Sequence, residues 1–323
     1  MRPYLKLFTH NGLFHADDVV ATALLSIMCD DFEVVRGGDE DVPTDPDWIV
    51  YDIGGGELDH HTPENKENNG CHPNTDIPYA ACGLVWKKYH EEILEALDCP
   101  EDMIGKVYRA FETSVVYGID GRDNGFDNVL SELDTMPNIP QDQKDRILKA
   151  SQKEFTITAL VKDYNPSWNS EVSPDEAFMD AVYMAKDIVV NRLDNIIEGM
   201  LGRDFVMRSL DYTTGHVMIL KQFAPWQGVI ASESKHNQKA KDIWYVISPA
   251  LRGGYSIQCV LENMNDRTSY RHPFPTEWYG LRDEELVKVC GIDGAIFVHA
   301  SGFLANTQTL EQAIDMADKA VRA

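Results

Sequence analysis

The sequence predicts an α/β protein: an N-terminal domain with a parallel sheet and helices on both faces, then a smaller C-terminal α+β domain. Three observations predict it. Short strand-like runs alternate with a helical repeat over the first fifty residues, the pattern of parallel βαβ units. Long stretches with helical spacing fill the middle of the chain. Past residue 200 several strand-like runs follow one another, separated by Gly, Asn and Pro. The domains are accordingly expected at residues 1–200 and 201–323.

Taking the elements in order, "YLKLF" (Tyr4–Phe8) alternates and predicts a strand that runs into a Thr-His-Asn-Gly loop. Ala16–Met28 repeats apolar positions at helical spacing, with Asp17 and Asp18 in the first turn, where the helix dipole favours acids. Phe32–Arg36 and Trp48–Asp52 read as two more strands. A glycine-rich loop leads to helices at Tyr79–Leu97 and Met103–Tyr117. Gly118–Gly125, "GIDGRDNG", is dense in turn residues and predicts a loop. Helices follow at Gln143–Val161 and Asp175–Met200, broken by "NPSWNSEVSPD". In the second domain "DFVMRSL", "HVMILKQF", "DIWYVISPAL" and "YSIQCVLE" read as strands. A helix at Arg282–Cys290, a strand at Ala295–His299 and a closing helix near Thr309–Arg322 complete the chain.

Composition narrows the function classes. With 43% hydrophobic and 25% charged residues, the chain is typical of soluble globular proteins. No apolar run approaches the roughly 18–20 residues of a membrane helix, and the first residues lack a signal-peptide pattern, so a cytoplasmic protein is expected. The six cysteines are scattered without a C-x-x-C pair, which predicts reduced thiols in or near the core. Net charge is −24. Residues 1–200 hold 16 basic against 39 acidic side chains, and the remainder 13 against 14. Such an acidic chain is unsuited to clamping duplex DNA, which rests on Lys and Arg at the phosphates. A phosphorylated substrate would need bound cations or a local basic patch.

Three loops of the first domain are dense in metal-capable side chains. "THNGLFHADD" supplies His10, His15, Asp17 and Asp18 after the first strand. "DIGGGELDHH" supplies Asp52, Asp59, His60 and His61 after the third, and "IDGRDNG" supplies Asp120 and Asp123. Loops that leave the carboxyl ends of parallel strands converge on one crevice, so these distant segments can build one site. Imidazoles and carboxylates without thiolate suit Mn²⁺, Mg²⁺ or Fe²⁺ better than a structural zinc. More carboxylates than one ion needs points to a pair of ions, which can clamp the oxygens of an in-line displacement at phosphorus. Taken singly, each piece has a plainer reading as turn filler, helix cap or solvated residue.

Asp59-His60-His61 resembles the signature of the DHH phosphoesterase superfamily. "HNGLFHADD", "YDIGG", "LDHH" and "RDNGF" follow one another in that superfamily's motif order. Within it the chain is most similar to the melanocyte proliferating gene 1 family, described as RNA exonucleases. "THNGLFHADDVVATALL" and, in the second domain, Arg271–Phe303 carry that likeness. The resemblance implies a DHH-type catalytic domain with two divalent ions, Mn²⁺ first and Mg²⁺ second. It implies metal ligands at His10, His15, Asp17, Asp52, His60 and Asp123. Asp59 would orient His60, and His61 would face the substrate phosphate. Thr62 stands where the family carries Gln.

In the second domain Arg252, Arg271 and His299 are candidate substrate contacts, with Lys235 and Lys239 further cations; the plain alternative for each is a solvated or structural residue. Trp278 and Tyr279 fit core packing better than base stacking. The expected function is a metal-dependent phosphodiesterase, a 3′–5′ exonuclease on RNA or short oligonucleotides, acting by attack of metal-bound water on phosphorus. One alternative is a phosphohydrolase of a small nucleotide or an inorganic phosphate chain. Another is a non-catalytic regulatory protein that binds metal or nucleotide. A homodimer is compatible with all three.

Overall fold

The computed structural model describes residues 4–126, 133, 136, 138–151 and 156–323. These divide into two compact units, Met1–Ile197 and Glu198–Ala323. The N-terminal unit is built on a three-stranded parallel sheet of order β2-β1-β3, with β1 Tyr4–His10, β2 Asp31–Gly37 and β3 Trp48–Val50. Tyr4 pairs with Asp31 and His10 with Gly37 on one side of β1, while Lys6 pairs with Trp48 and Phe8 with Val50 on the other. Parallel neighbours need a crossover, and α1 (Ala16–Ile27) supplies the first. All twelve α1 residues are buried. Its polar members are therefore satisfied locally or kept for another use. Thr22 Oγ1 donates to the Asp18 carbonyl at 2.7 Å and Ser26 Oγ to the Ala23 carbonyl at 2.7 Å.

After β3 come α2 (Pro63–Asn69), capped by Thr62 Oγ1, then α3 (Ala81–Ala96) and α4 (Ile104–Phe111). Gly118–Gly125 is not the loop that its turn residues predict. A π-helical turn over Glu112–Val116 carries α4 directly into α5 (Tyr117–Asp123). Burial of Ile119, Asp120 and Gly121 holds this helix in place despite its two glycines. Of the helix predicted over Gln143–Val161, helices Gln141–Ser151 and Ile157–Tyr164 are seen, and residues 152–155 lie outside the described residues.

"DFVMRSL" is likewise not a strand. It is the last part of one long helix, Pro174–Tyr212, in which Val206 and Leu210 bury the same face four residues apart. The C-terminal unit holds a five-stranded sheet of order β4-β5-β6-β10-β9: Val217–Ile219, Tyr245–Pro249, Tyr255–Cys259, Leu304–Thr307 and Ala295–Val298. β4 and β5 are parallel and the remaining pairs antiparallel. Side chains alternate across this sheet. Tyr245 and Ile247 join a core with Phe274, Trp278 and Met316, and Val246 joins a second with Val206, Met218 and Trp226. Five cysteines are buried and all six are free. Among the described residues no helix is long and apolar enough to cross a membrane.

Candidate metal centre

Parallel pairing sets the core of the site. Phe8 faces Val50, so the residues two further along, His10 and Asp52, leave the same sheet edge together. The Tyr51 N–H donates the last rung to the Phe8 carbonyl at 3.1 Å. Asp52 then turns with φ +60°, its N–H donating to the Leu58 carbonyl at 3.0 Å. Few residues tolerate this left-handed region; Asp is one of them. Gly54 and Gly55 at φ +82° and +70° complete the reversal that brings Asp59, His60 and His61 back to Asp52.

The candidate ligand atoms fall into three groups whose members lie within 4.8 Å of one another: His10, Asp18 and Asp52; Asp52, His60 and His61, which shares Asp52 with the first; and His15, Asp17 and Asp123. His10 Nε2 stands 3.2 Å from Asp18 Oδ2 and 3.3 Å from Asp52 Oδ2. Its Nδ1–H donates to the Asn11 carbonyl at 2.8 Å, which fixes the ring with Nε2 toward the acids. His60 joins the groups. Its Nδ1 is 3.4 Å from Asp52 Oδ1 and 4.0 Å from Asp17 Oδ2, while Nε2 is 3.0 Å from Asp123 Oδ2. His15, at the start of α1, holds Nδ1 3.7 Å from Asp123 Oδ1.

Electrostatics show what the cluster lacks. Burial raises Asp17 well above the carboxylate range, and the Asp52, Asp123 and Asp18 carboxylates add to it. Burial raises Asp18 too, although His10 opposes the rise. Burial pulls the His10 imidazolium down, but Asp18 and Asp52 outweigh it and lift its pKa to about 10. Burial pushes Asp123 up, yet His60 first, and then Asp17 and His15, hold it below its ordinary value. Of eight buried side-chain N and O atoms without a hydrogen-bond partner among the described residues, five sit in this cluster: both Asp17 oxygens, Asp18 Oδ2, Asp52 Oδ1 and His60 Nδ1. Each such atom costs about 1–3 kcal/mol when left unpaired. Coordination to a cation removes that cost and the repulsion together. The donor set fits: these buried His and Asp groups can hold a metal ion.

Two roles differ from expectation. Asp59 does not orient His60; its Oδ1 accepts from the His61 backbone N–H at 3.0 Å and lies 2.8 Å from His61 Nδ1. Its Oδ2 accepts from the Gly55 N–H at 2.8 Å. Adjacent rings stack with centroids 4.4 Å apart, and the buried His60 is the one that turns inward. Arg271 is not a free phosphate contact. Its Nη1 donates to the Ala240, Lys241 and Ile243 carbonyls at 2.7, 3.0 and 2.8 Å, and Nη2 to Ser234 Oγ.

Elsewhere in the C-terminal unit, Lys239 Nζ donates to the Asp211 carbonyl. Arg252 and Lys235 are exposed. His299 is exposed, with Nδ1 accepting from the Ser301 N–H. Trp278 is packed into the core and Tyr279 packs against it.

Several contributors were not singled out from the sequence. Asn165 clamps the loop before His15, its Oδ1 accepting from the Phe14 N–H at 3.0 Å and its Nδ2 donating to the Phe14 carbonyl at 2.9 Å. Arg36 lies over the Phe14 and Phe178 rings and donates to the Gly12 carbonyl. His72 is buried between Glu112 Oε1 at 3.2 Å and Asp120 Oδ2 at 2.9 Å. Burial lifts Asp120 to about 6 against the opposing pull of His72.

The candidate ligand set, from His10 to Asp123, lies inside a longer match. A family model named MYG1_exonuc, described as an uncharacterised protein family (UPF0160), matches residues 6–321. The chain belongs to the MYG1 family. A MYG1 protein of Schizosaccharomyces pombe is 29% identical over 345 residues, covering 99% of this chain and 98% of the relative. A MYG1 protein of Dictyostelium discoideum is 29% identical over 334 residues, covering 98% and 96%. A Homo sapiens relative named MYG1 exonuclease is 29% identical over 337 residues, covering 97% of this chain and 84% of its own length. MYG1 membership thus extends over both units, well beyond the loops that carry the candidate metal ligands.

Proposed function

We propose that this MYG1 chain is a metal-dependent phosphodiesterase of the DHH superfamily, acting as a 3′–5′ exonuclease on RNA or short oligonucleotides. The observation that carries the reading is the set of five unpartnered buried ligand atoms in one His and Asp cluster. The name exonuclease, borne by the human relative, supports the reaction class. His10 and Asp52, with Asp18, would hold one ion. His15, Asp17 and Asp123 would hold the other, with His60 between the two groups. Bound divalent ions, Mn²⁺ or Mg²⁺, supply Lewis acidity toward phosphate oxygens and a water of lowered pKa.

The remaining work falls to Asp59 and His61. The Asp59 hydrogen bond raises the His61 pKa against burial. His61 is more than half exposed, so with Nδ1 on Asp59 its Nε2 can hold a proton toward a substrate oxygen. Net charge favours a second reading. A −24 chain repels a long polyanion more than a small nucleotide or a short phosphate chain. The test is to strip the purified chain of metal, restore Mn²⁺ or Mg²⁺, and offer end-labelled RNA, single-stranded DNA and small nucleotides. Stepwise shortening of RNA from its 3′ end is expected, and turnover of small nucleotides alone would favour the second reading. Asp52→Ala should abolish turnover while remaining folded. A folded Asp52→Ala with full activity refutes the role given to this residue.

A further inference from the structure

Beside the ligand cluster the N-terminal unit has a cavity of about 470 Å³, and His15, Asp17 and Asp123 form part of its lining. Its volume lies in the range of roughly 300–1,000 Å³ typical of sites that enclose one small ligand. One wall is apolar, made by Leu13, Phe14 and Ile119. Phe14 and Ile119 are buried, but Leu13 at the rim is 69% exposed. The Asn165 clamp on both backbone groups of Phe14 holds this wall in place without a ligand.

The lining also includes Arg122 and Lys162. Two cations elsewhere in the N-terminal unit are ion-paired, Arg36 with Asp175 and Lys88 with Glu57. Neither the Arg122 guanidinium nor the Lys162 ammonium has a hydrogen bond or ion pair among the described residues. Two unpaired cations beside a carboxylate-rich centre, in the acidic part of the chain, favour an anionic occupant. The apolar residues of the same lining favour one that also has an apolar face.

We infer that this cavity seats one nucleotide unit, with its base against Leu13, Phe14 and Ile119 and its phosphate oxygens on Arg122 and Lys162. The assignment deepens the phosphodiesterase reading and rests on it for the word substrate, while its test is binding and needs no turnover. The Mn²⁺-loaded full chain is titrated calorimetrically with adenosine 5′-monophosphate, adenosine and inorganic phosphate. Arg122→Ala combined with Lys162→Ala, both exposed positions, should weaken the monophosphate about tenfold or more and leave adenosine unchanged. Leu13→Asn should weaken the monophosphate and adenosine alike and leave inorganic phosphate unchanged. Melting temperatures equal to wild type confirm that the variants are folded.

Absence of saturable monophosphate binding by wild type overturns the inference. So does monophosphate binding that depends on Mn²⁺ but is indifferent to all three substitutions. In that case, oligonucleotide turnover by wild type would leave the phosphodiesterase reading standing. Monophosphate binding that follows Arg122, Lys162 and Leu13, in a chain that cleaves no phosphodiester, upholds the cavity and removes the reaction.

Discussion

Replacing Asp17 with Asn removes one charge and changes little in shape. Asp17 is 1% exposed and neither carboxylate oxygen has a hydrogen-bond partner among the described residues. Its folded pKa is raised above the ordinary 3.8, by burial first and then by Asp52, Asp123 and Asp18. Between the unfolded and folded values the native chain therefore binds the extra proton. Stability of the metal-free protein falls as pH rises through that window, by at most about 1.4 kcal/mol per pH unit. Asn cannot ionise, but its amide inherits the same lack of partners, so only the charge is relieved. That gain is about 1–3 kcal/mol at pH 8. At roughly 2–4 °C per kcal/mol for a unit of this size, metal-free Asp17→Asn should melt about 2–12 °C above wild type. The assay is thermal melting after EDTA treatment at pH 5 and pH 8, with and without Mn²⁺. The gap should narrow at pH 5. Mn²⁺ at 100 times its Kd should stabilise wild type by about 2.7 kcal/mol and the variant far less, reversing the order. A metal-free variant that melts below wild type at pH 8, with Mn²⁺ raising both equally, refutes the reasoning.

Three further outcomes are expected. Asp59 is held at about 2, because bonds from His61 and Gly55 outweigh the upward push of burial. Its contribution is complete above its unfolded value and lost as pH falls toward 2, whereas that of His61 is complete below pH 6.5 and lost as pH rises through its raised value. In metal-free Asp59→Asn the His61 titration seen by NMR should drop toward 6.5; an unchanged midpoint contradicts the pairing. Asn165→Ala loses two bonds to Phe14, each worth about 1 kcal/mol, so calorimetry should find weaker Mn²⁺ binding in a folded variant rather than unaltered affinity. Gly83→Ala would place a Cβ 1.9 Å from Asp120 Oδ2. Urea unfolding should register a loss of about 1–3 kcal/mol, and a variant as stable as wild type contradicts this packing.

Much of the site's N-terminal half was legible because its signals are local. Strand alternation in Tyr4–Phe8, helical spacing from Ala16 and a glycine loop after Trp48 place His10, Asp17 and Asp52 at element ends. Periodicity also marked Asp18 as acidic in the first turn, without indicating that it faces His10. What was not legible depends on tertiary context. Gly118 and Gly121 signal a turn, yet burial and the preceding π-helical turn keep α5 helical. "DFVMRSL" is too short to separate a strand from a helical stripe, and only the continuous helix from Pro174 decides it. Adjacency in Asp59-His60-His61 cannot tell which ring turns inward. His72 meets carboxylates 40 and 48 residues away, and Arg271 is occupied by carbonyls that only the fold brings to it.

The central claim is that the His and Asp cluster binds divalent ions through its unpartnered atoms. A crystal of the full chain grown with Mn²⁺ and measured at the manganese absorption edge tests it most directly. The account predicts two anomalous peaks about 3.5–4 Å apart, one against His10 and Asp52 and the other against Asp17 and Asp123. A well-ordered cluster with no anomalous peak, at Mn²⁺ concentrations that support activity, would contradict it.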